Sequence, residues 1–280
     1  MRDDGGTADG GIDLDAMPNT MTIDVTPVND EPSGADNTLS ILEDGTHTFA
    51  AADFGFTDVV EGDALYSVII TTLPANGVLE LSGVAVTAGQ EILVADVPSL
   101  TFEPAADANG NSYADFTFQV RDDGGTPNGG QDIDQSPNTI TFDVTPVNDA
   151  PDGTDNTVTT LEDTAYTFAA ADFGFTDPID GTDSLQSVVI TTLPADGVLE
   201  LSGVAVTAGQ EITAAQISNL TFTPASNENG AGYTSFTFQV RDDGGTANGG
   251  IDLDPVANTM TIDVTSCLLY TSDAADDANC

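Results

Sequence analysis

The sequence predicts an all-β fold made of tandem β-sandwich modules. The motif RDDGGT begins at Arg2, Arg121 and Arg241, and this spacing accommodates a sandwich, which needs about 100 residues. Within each repeat, apolar and polar residues alternate over short stretches, as expected for strands with one buried face. Clusters of Gly, Pro, Asp and Asn separate these stretches, and such clusters mark turns.

The strands are most easily followed in the second repeat. Val, Ile, Thr and Phe dominate the candidate segments, and these residues suit a pleated, half-buried surface. The expected strands are Thr157–Leu161, Tyr166–Ala170, Leu185–Leu193, Val198–Leu201, Leu220–Thr223 and the alternating stretches through Phe236–Val240 and Met260–Val264.

The connections between these strands are equally distinct. Asp172–Asp183 is too polar and too interrupted for a strand. Turns are expected at Pro194–Gly197 and at Ser202 with Gly203, because glycine tolerates positive φ there. Glu211–Ser218 could hold a brief helical turn, and Asn227–Gly232 is expected to be a loop. About seven strands without an amphipathic helix indicate a sandwich.

The repeat also sets the expected domain boundaries. GVLELSGVAVTAGQEI occurs unchanged at Gly77–Ile92 and Gly197–Ile212. We expect residues 1–30 to be the C-terminal remnant of a preceding repeat, residues 31–149 to be repeat 1 and residues 150–265 to be repeat 2.

Both ends of the sequence are expected to be incomplete or foreign. Met1 aligns with Val120 and Val240, so a valine codon read as a start would explain it. Ser266–Cys280 has no counterpart in the repeats, and Cys267–Asp277 matches one reading frame of a sequencing-library adapter. We therefore expect residues 266–280 to be a non-native tail, with a natural acidic tail as the alternative. Both cysteines fall there, so the repeats contain no thiol.

The charge is strongly one-sided. With 47 acidic residues and only three basic ones, the formal net charge is −44. Such a field repels nucleic acid and anionic lipid, and it attracts cations. No segment approaches the roughly 18 apolar residues of a membrane span, so direct membrane insertion is not expected. Disorder is the common reading of acidic chains, but regular strand patterning and 39% hydrophobic residues oppose it.

Several acidic segments fall on loops at the module ends. Calcium prefers six to eight oxygen ligands from carboxylates, carbonyls and amides on flexible backbone. Four sets could converge where two modules meet: Asn148 with Asp149, the Asp177/Asp180/Asp183 loop, Asp242 with Asp243, and Glu43 of the preceding module. No segment has the EF-hand spacing. A solvated surface is the alternative for each loop.

The motifs resemble a known family. They are VTPVNDEP and VTPVNDAP at Val25–Pro32 and Val144–Pro151, LED at Leu42–Asp44 and Leu161–Asp163, FAAADFGFTD at Phe49–Asp58 and Phe168–Asp177, and FTFQVRDDGGT at Phe116–Thr126 and Phe236–Thr246. Together they resemble the cadherin-like tandem repeats of large bacterial surface adhesins, the VNDAP-type repeat proteins. The resemblance spans Met1–Thr265.

This resemblance implies Greek-key sandwiches of the cadherin or immunoglobulin type with Ca²⁺ bound at module junctions. Cadherins hold calcium through an N-terminal Glu, an Asn-Asp linker, an Asp-x-Asp loop and a late Asp before Gly. The positions implied as metal ligands are Asn29, Asp30, Glu43, Asp58, Asp63, Asp123, Asn148, Asp149, Glu162, Asp177, Asp180, Asp183 and Asp243.

The sequence also departs from the family pattern. The linker lacks the final Asn-Asp doubling of animal cadherins, and no Asp-Arg-Glu triplet occurs in mid-module. FTDVVEGD in the first module differs from FTDPIDGTD in the second. The number of ions per junction therefore stays open, and we expect weaker binding at the first junction.

Two further features have weaker interpretations. The pairs Asp13/Asp15, Asp132/Asp134 and Asp252/Asp254 could form another cation site, or a solvated or Arg-paired loop. His47, expected to be exposed beside Gly45, occurs only in the first module and receives no role.

The expected function is that of a calcium-rigidified spacer in a secreted bacterial adhesin, at the cell surface or outside the cell. Other cells, surfaces or glycans would be bound through parts outside this sequence. The alternative is that the modules recognise a glycan or a partner cell directly, although the sequence contains no Trp. An enzyme is not expected, because the single His is confined to one module and paired carboxylates require a cleft that drives their pKa values apart.

Overall fold

The structure, a computed structural model, describes residues 1–267 and contains two β-sandwiches. The first sandwich has nine strands: β1 Asn37–Leu42, β2 His47–Thr48, β3 Leu65–Ile70, β4 Val78–Leu81, β5 Val84–Ala85, β6 Glu91–Leu93, β7 Leu100–Glu103, β8 Gly110–Asp122 and β9 Asn138–Thr145. The second has the same set: β10 Asn156–Leu161, β11 Tyr166–Thr167, β12 Leu185–Ile190, β13 Val198–Leu201, β14 Val204–Ala205, β15 Gln210–Thr213, β16 Leu220–Thr223, β17 Gly230–Asp242 and β18 Asn258–Thr265.

Only short 3-10 turns accompany the strands within the described residues. They lie at Ala8–Gly10, Ala51–Phe54, Val97–Ser99, Pro127–Gly129, Ala170–Phe173, Ala214–Asn219 and Ala247–Gly249. None of the helices in residues 1–267 has the length and apolarity that crossing a membrane requires.

Both sandwiches share one topology. A five-stranded sheet, β1-β9-β8-β3-β6, faces a four-stranded sheet, β2-β7-β4-β5, and the second sandwich repeats this as β10-β18-β17-β12-β15 and β11-β16-β13-β14. The first and last strands pair in parallel, with Leu39 opposite Phe142 and Val158 opposite Ile262. Consecutive strands lie in different sheets at several points, so the chain passes between the two sheets several times. The predicted fold class is confirmed.

Alternation along the strands places one face of each sheet in the core. Phe116, Phe118 and Val120 on β8 are fully buried, and the residues between them are not. Phe102 and Phe142 stack across the two sheets with ring centroids 3.8 Å apart. Each sandwich has its own cluster of buried apolar residues. The loops at the sandwich ends are therefore carried by two rigid, separately filled cores.

The sequence locates most strands of the second sandwich correctly, with five differences. The strand predicted at Tyr166–Ala170 is shorter, because β11 ends at Thr167. A 3-10 turn over Ala170–Phe173 follows it, and Asp172 accepts the Ala169 N–H there at 2.8 Å. The strand predicted at Leu185–Leu193 ends earlier, because β12 stops at Ile190. The loop predicted at Asn227–Gly232 is shorter, because β17 already begins at Gly230.

The remaining differences lie between β13 and β16. The short strands β14 and β15 are not anticipated by the sequence. Two-residue strands such as β14 leave no alternation to detect, so pairing with β13 alone defines it. The predicted helical turn is present as the 3-10 turn Ala214–Asn219.

Residues 19–26 show how far a strand depends on its partners. Their sequence, NTMTIDVT, is identical to Asn258–Thr265, which forms β18. In β18, Met260 and Ile262 are fully buried, whereas Met21 and Ile23 are 85% and 77% exposed and belong to no strand. The same octapeptide becomes a strand only where β10 and β17 flank it.

The stacked pair Phe102–Phe142 generates a stability prediction. Phe102→Ala should destabilise the first sandwich by about 3–5 kcal/mol, because a fully buried ring is lost and a cavity remains. Amide hydrogen exchange should show reduced protection in β8 and unchanged protection in β17. Val84→Ala is the matched control, because Val84 is 69% exposed and its loss should change stability by less than about 0.5 kcal/mol. Equal loss of protection in both sandwiches would contradict the separation of the cores.

Candidate metal centre between the two sandwiches

The candidate site is built from turns at the adjoining ends of the two sandwiches and from the linker between them. Glu43 and Asp44 follow β1, and Asp107 lies between β7 and β8. The linker begins after β9. Asp177, Asp180 and Asp183 occupy the loop that leads into β12, and Asp242 ends β17. Turns carry these acids because Asp tolerates left-handed backbone; φ is 56° at both Asp44 and Asp107.

Glu43 fastens the start of the linker to the first sandwich. Its side chain is buried, with the residue only 3% exposed. The carboxylate accepts a hydrogen bond from the Val147 N–H and another from Asn109 Nδ2 at 2.7 Å. The Glu43 N–H in turn donates to Thr145 O at 2.9 Å. Glu43 is thus held by neutral donors, and no basic side chain among the described residues pairs with it.

Asn148 fastens the next part of the linker to the second sandwich. Its Nδ2 donates to the two carboxylate oxygens of Asp242 at 3.1 and 3.3 Å and to Ile251 O at 2.8 Å. The Ile251 N–H donates back to Asn148 O at 2.8 Å. These contacts leave Asn148 Oδ1 buried without a hydrogen-bond partner. An amide oxygen in that state is available to a cation.

Asp149 lies between the two attachments. Its N–H donates to Asp180 Oδ2 at 2.6 Å, and the Asp180 N–H donates to Asp177 Oδ1 at 2.9 Å. Asp149 Oδ2 and Asp177 Oδ2 are both buried and without a partner. Buried unsatisfied polar atoms are uncommon because each costs roughly 1–3 kcal/mol. The two carboxylate oxygens are therefore not used by donors among the described residues, and they could serve as ligands of a cation.

The carboxylates form three overlapping groups whose oxygens lie within 4.8 Å of one another. The groups are Glu43–Asp149–Asp180, Asp44–Asp107–Asp149 and Asp177–Asp180–Asp183. Asp149 links the first group to the second, and Asp180 links the first to the third. The first group draws one residue from each sandwich and one from the linker.

The electrostatics of this arrangement are unfavourable without a counter-ion. Burial raises the pKa of Asp149, and the charges of Asp107, Asp180, Glu43 and Asp44 raise it further. Like charges held close together resist simultaneous ionisation.

Two neighbouring carboxylates in the second sandwich are affected in the same way. Burial raises the pKa of Asp183, and the charges of Asp180 and Asp177 add to it. Burial also raises the pKa of Asp242, although the Gly244 N–H and Asn148 oppose the shift. A divalent cation would offset the repulsion among these carboxylates.

Most of the residues predicted around this linker come together. Glu43, Asn148, Asp149, Asp177, Asp180 and Asp183 all lie at the junction. Asp243 differs, because it is exposed and its Oδ1 accepts the Ser184 N–H at 2.7 Å. The adjacent Asp242 is the carboxylate that contacts Asn148. The sequence motif RDDGG does not by itself distinguish the two.

The corresponding end of the first sandwich repeats this geometry. Asn29 Nδ2 donates to Asp122 at 3.0 Å and to Gln131 O at 2.7 Å, and Asn29 Oδ1 is buried without a partner. Asp123 Oδ1 accepts the Ala64 N–H at 2.8 Å, as Asp243 does for Ser184. The described residues place no counterpart of Glu43 beside this set.

The loop of the first sandwich adds the remaining predicted residues. The Asp58 carboxylate accepts the Val60 and Asp63 N–H groups at 3.1 and 3.0 Å. Burial raises the pKa of Asp63, and the charges of Asp122, Asp123 and Asp58 reinforce it.

Sequence reasoning missed several residues of the site. Glu61 Oε2 accepts the Asp30 N–H at 3.3 Å, as Asp180 does for Asp149. Aligning VEGD with IDGTD would have placed Glu61 opposite Asp180. Asp44 and Asp107 were missed because they lie in turns whose approach to the linker is a tertiary contact.

Glu162 repeats the role of Glu43 at the end of the second sandwich. It accepts Asn229 Nδ2 at 2.9 Å and the Cys267 N–H at 2.9 Å. Of the predicted non-native tail, residues 268–280 lie outside the described residues.

The two members of each aspartate pair before the last strand have different partners. Asp13, Asp132 and Asp252 lie beside arginines, with Arg241 2.6 Å from Asp252. Asp254 instead caps its turn by accepting the Val256 and Gly153 N–H groups at 2.8 and 2.9 Å. The Arg-paired interpretation holds for the first member of each pair.

His47 is half-buried, so the expectation of an exposed side chain is wrong. Its Nε2 lies 3.2 Å from Asp53 Oδ2, and its ring packs edge-on against Phe49. Tyr166 makes the equivalent contact with Asp172 at 3.0 Å.

Known proteins include domains that are similar to these sandwiches. Residues 148–254 match the family model described as bacterial Ig domain. Human mucin-like protocadherin EC1-2 aligns at 16% identity and TM-score 0.41, covering 84% of this chain and 98% of that one. Drosophila N-cadherin EC1-4 aligns at 12% identity and TM-score 0.43, covering 82% and 49%. No curated protein matches. Residues 148–254 are therefore similar to a bacterial immunoglobulin-like domain, and the first sandwich has the same strand order as the second.

The packing around Gly244 generates a prediction. A Cβ added at Gly244 would overlap Asn148 Oδ1 and Asp183 Oδ2. Gly244→Ala should therefore displace the linker and cost about 1–3 kcal/mol, as overpacking does. Urea unfolding measures the loss. Gly181→Ala is the control in the same region, because its Cβ would meet only Asp177 O at 3.7 Å. Equal stability of the two variants would exclude a tight contact at Gly244.

The raised pKa values generate a prediction for metal-free protein. Because the pKa values of Asp149, Asp183 and Asp242 lie above the ordinary 3.8, the folded state binds protons more tightly than the unfolded state. Stability in EDTA should therefore increase as the pH falls from neutral through those raised pKa values. Thermal unfolding across this pH range measures it.

Asp183→Asn should flatten this pH dependence, because it removes one of the crowded charges. Asp196→Asn is the control and should leave the slope unchanged, since Asp196 is exposed in the turn beyond the far end of β12. A slope that is identical in both variants and in the original protein would contradict the assignment to the junction.

Proposed function

We propose that this chain is a calcium-binding structural spacer of a secreted bacterial adhesin, in which Ca²⁺ bound between consecutive sandwiches stiffens the linker. The observation that carries the proposal is the Glu43–Asp149–Asp180 group, whose members come from the first sandwich, the linker and the second sandwich. A cation at this point would connect all three. We also propose residues 31–149 and 150–265 as the repeating units and residues 1–30 as a remnant of a preceding one.

The donor set fits calcium better than other metals. The candidate ligands are carboxylate and amide oxygens, without His or Cys in the three groups. Hard oxygen donors select Ca²⁺ or Mg²⁺, and Ca²⁺ accepts the irregular, higher coordination that flexible loops provide. The unpartnered Asn148 Oδ1, Asp149 Oδ2 and Asp177 Oδ2 support this fit.

Different residues hold different parts of the linker. Val147 and Asn148 are fastened by hydrogen bonds to the first and second sandwich respectively. Asp149 and Asp180 then face each other as two negative charges joined through one backbone N–H. Without a cation, repulsion favours opening of this contact. Calcium would supply the positive charge that holds the carboxylates together.

The cellular setting follows from the class of domain. Bacterial immunoglobulin-like and cadherin-like domains are typical of extracellular proteins related to adhesion. The net charge of −44 and the repetition of the junction residues suit an extended array in a calcium-rich medium. We place the protein at the cell surface or outside the cell, with other cells, surfaces or glycans bound by parts beyond this sequence.

Calcium should therefore stabilise the protein and restrict its linker. At a free concentration about 100-fold above Kd, one site bound only by the folded form adds about 2.7 kcal/mol. Extracellular modules bind calcium at roughly 10⁻⁴–10⁻³ M, so millimolar calcium against EDTA is the comparison. Calorimetric melting gives the stability, and small-angle X-ray scattering gives the maximum dimension, which should increase with calcium.

Matched variants connect the effect to the junction. Asp180→Asn and Glu43→Gln should weaken the response to calcium by removing one charge each. Asp196→Asn makes the same chemical change far from the linker, and the first repeat already carries Asn76 at that position. An unchanged melting midpoint in millimolar calcium, or an equal loss in Asp196→Asn, would rule out the proposed site.

A further inference from the structure

Five Asn-Gly dipeptides occur among the described residues. They begin at Asn76, Asn109, Asn128, Asn229 and Asn248. In such a dipeptide the backbone nitrogen of glycine can attack the side-chain carbonyl of asparagine, because glycine has no Cβ to hinder the approach and its backbone rotates freely. All five therefore have the sequence required for deamidation.

The structure separates three protected asparagines from two unprotected ones. Asn76 Nδ2 donates to Tyr113 O at 3.0 Å. Asn109 and Asn229 donate to the carboxylates of Glu43 and Glu162 at 2.7 and 2.9 Å. Each of these amides must first leave its acceptor before its Cγ can turn toward the next residue.

Asn128 and Asn248 have no such restraint. Both are exposed, and neither side chain makes a hydrogen bond in the described part of the chain. Both lie in left-handed backbone, with φ of 56° and 58°. The glycines that follow have φ of 88° and 99°. Both residues of each turn therefore have positive φ, which lies outside the commonly populated backbone regions.

We infer that Asn128 and Asn248 are sites of spontaneous deamidation and isomerisation. The backbone nitrogen of Gly249 attacks Cγ of Asn248, the N–Cγ bond forms, and the Cγ–Nδ2 bond breaks. Ammonia leaves with the proton of the glycine nitrogen, and a five-membered succinimide remains. Water then opens the ring at either carbonyl, giving aspartate or isoaspartate. Asn128 and Gly129 react in the same way.

The position of the turn gives this modification a structural consequence. The 3-10 turn is closed by the Gly250 N–H donating to Ala247 O at 3.0 Å. Ile251, the next residue, exchanges hydrogen bonds with Asn148 in both directions, each at 2.8 Å. Gln131 and Asn29 do the same in the first sandwich. In isoaspartate the main chain runs through the former side-chain atoms Cβ and Cγ, which adds one atom to the backbone of the turn.

The extra atom displaces the residue that fastens the linker. Isoaspartate at position 248 therefore releases Asn148 from the second sandwich, independently of any bound cation. Aged protein therefore has a looser linker than fresh protein. The two repeats carry the reactive Asn-Gly dipeptide at equivalent positions, Asn128 and Asn248. Aspartate formation alone adds a charge to an exposed turn and leaves the backbone path unchanged.

Peptide mapping by mass spectrometry tests the modification itself. The full chain is incubated in EDTA at mildly alkaline pH and sampled over days, with isoaspartate detected by enzymatic methylation. Asn128 and Asn248 should convert at least about tenfold faster than Asn109 and Asn229, because the latter must break a hydrogen bond to a carboxylate. Equal rates at all five positions, or earlier conversion at Asn109, would overturn the inference.

Hydrogen exchange tests the consequence. In aged protein the Ile251 N–H should lose protection relative to fresh protein. Asn248→Gly retains a residue suited to positive φ and has no Cγ to react, so its Ile251 protection should not change with age. Fully converted protein that keeps the Ile251 N–H protected would show that the linker does not respond.

Discussion

The repulsion among carboxylates around one short linker is the constraint on which the rest of this structure depends. Glu43, Asp149 and Asp180 come from three separate parts of the chain, yet they are positioned by neutral donors, such as Asn109 and the Val147 N–H. Hydrogen bonds fix where the oxygens lie without cancelling their charge. The junction therefore combines an ordered geometry with unbalanced negative charge, a state that a divalent cation would relieve.

The arrangement is a property of an array rather than of a single sandwich. One end of each sandwich carries a glutamate, Glu43 or Glu162, that accepts a main-chain N–H from the segment that follows β9 or β18. The other end carries an aspartate, Asp122 or Asp242, that accepts the side-chain amide of a linker asparagine. Because the two ends differ and are complementary, any number of copies can follow one another. The cores of fully buried phenylalanines keep the ends rigid enough for this.

The candidate site could be predicted from the sequence in part. Repetition identified the Asn-Asp linker, the glutamate that follows the first strand and the loop acids, because each recurs with one module's spacing. The choice between Asp242 and Asp243 could not be made, since neighbouring identical residues differ only in which side chain the end of β17 turns inward. Asp107 also stayed hidden, because its approach to Asp149 spans two loops with no shared motif. Glu61 was within reach of an alignment that allows for the extra Thr182.

The sequence by itself determined the all-β class, the repeat and most strand positions, because alternation and turn residues are local properties. Tertiary structure decided whether a given strand exists at all. NTMTIDVT forms β18 at residues 258–265 and no strand at residues 19–26, since a strand needs neighbours to pair its backbone and cover its apolar face. The same reason applies to the acids: their chemical type is written in the chain, but their mutual approach arises only when two sandwiches and a linker meet.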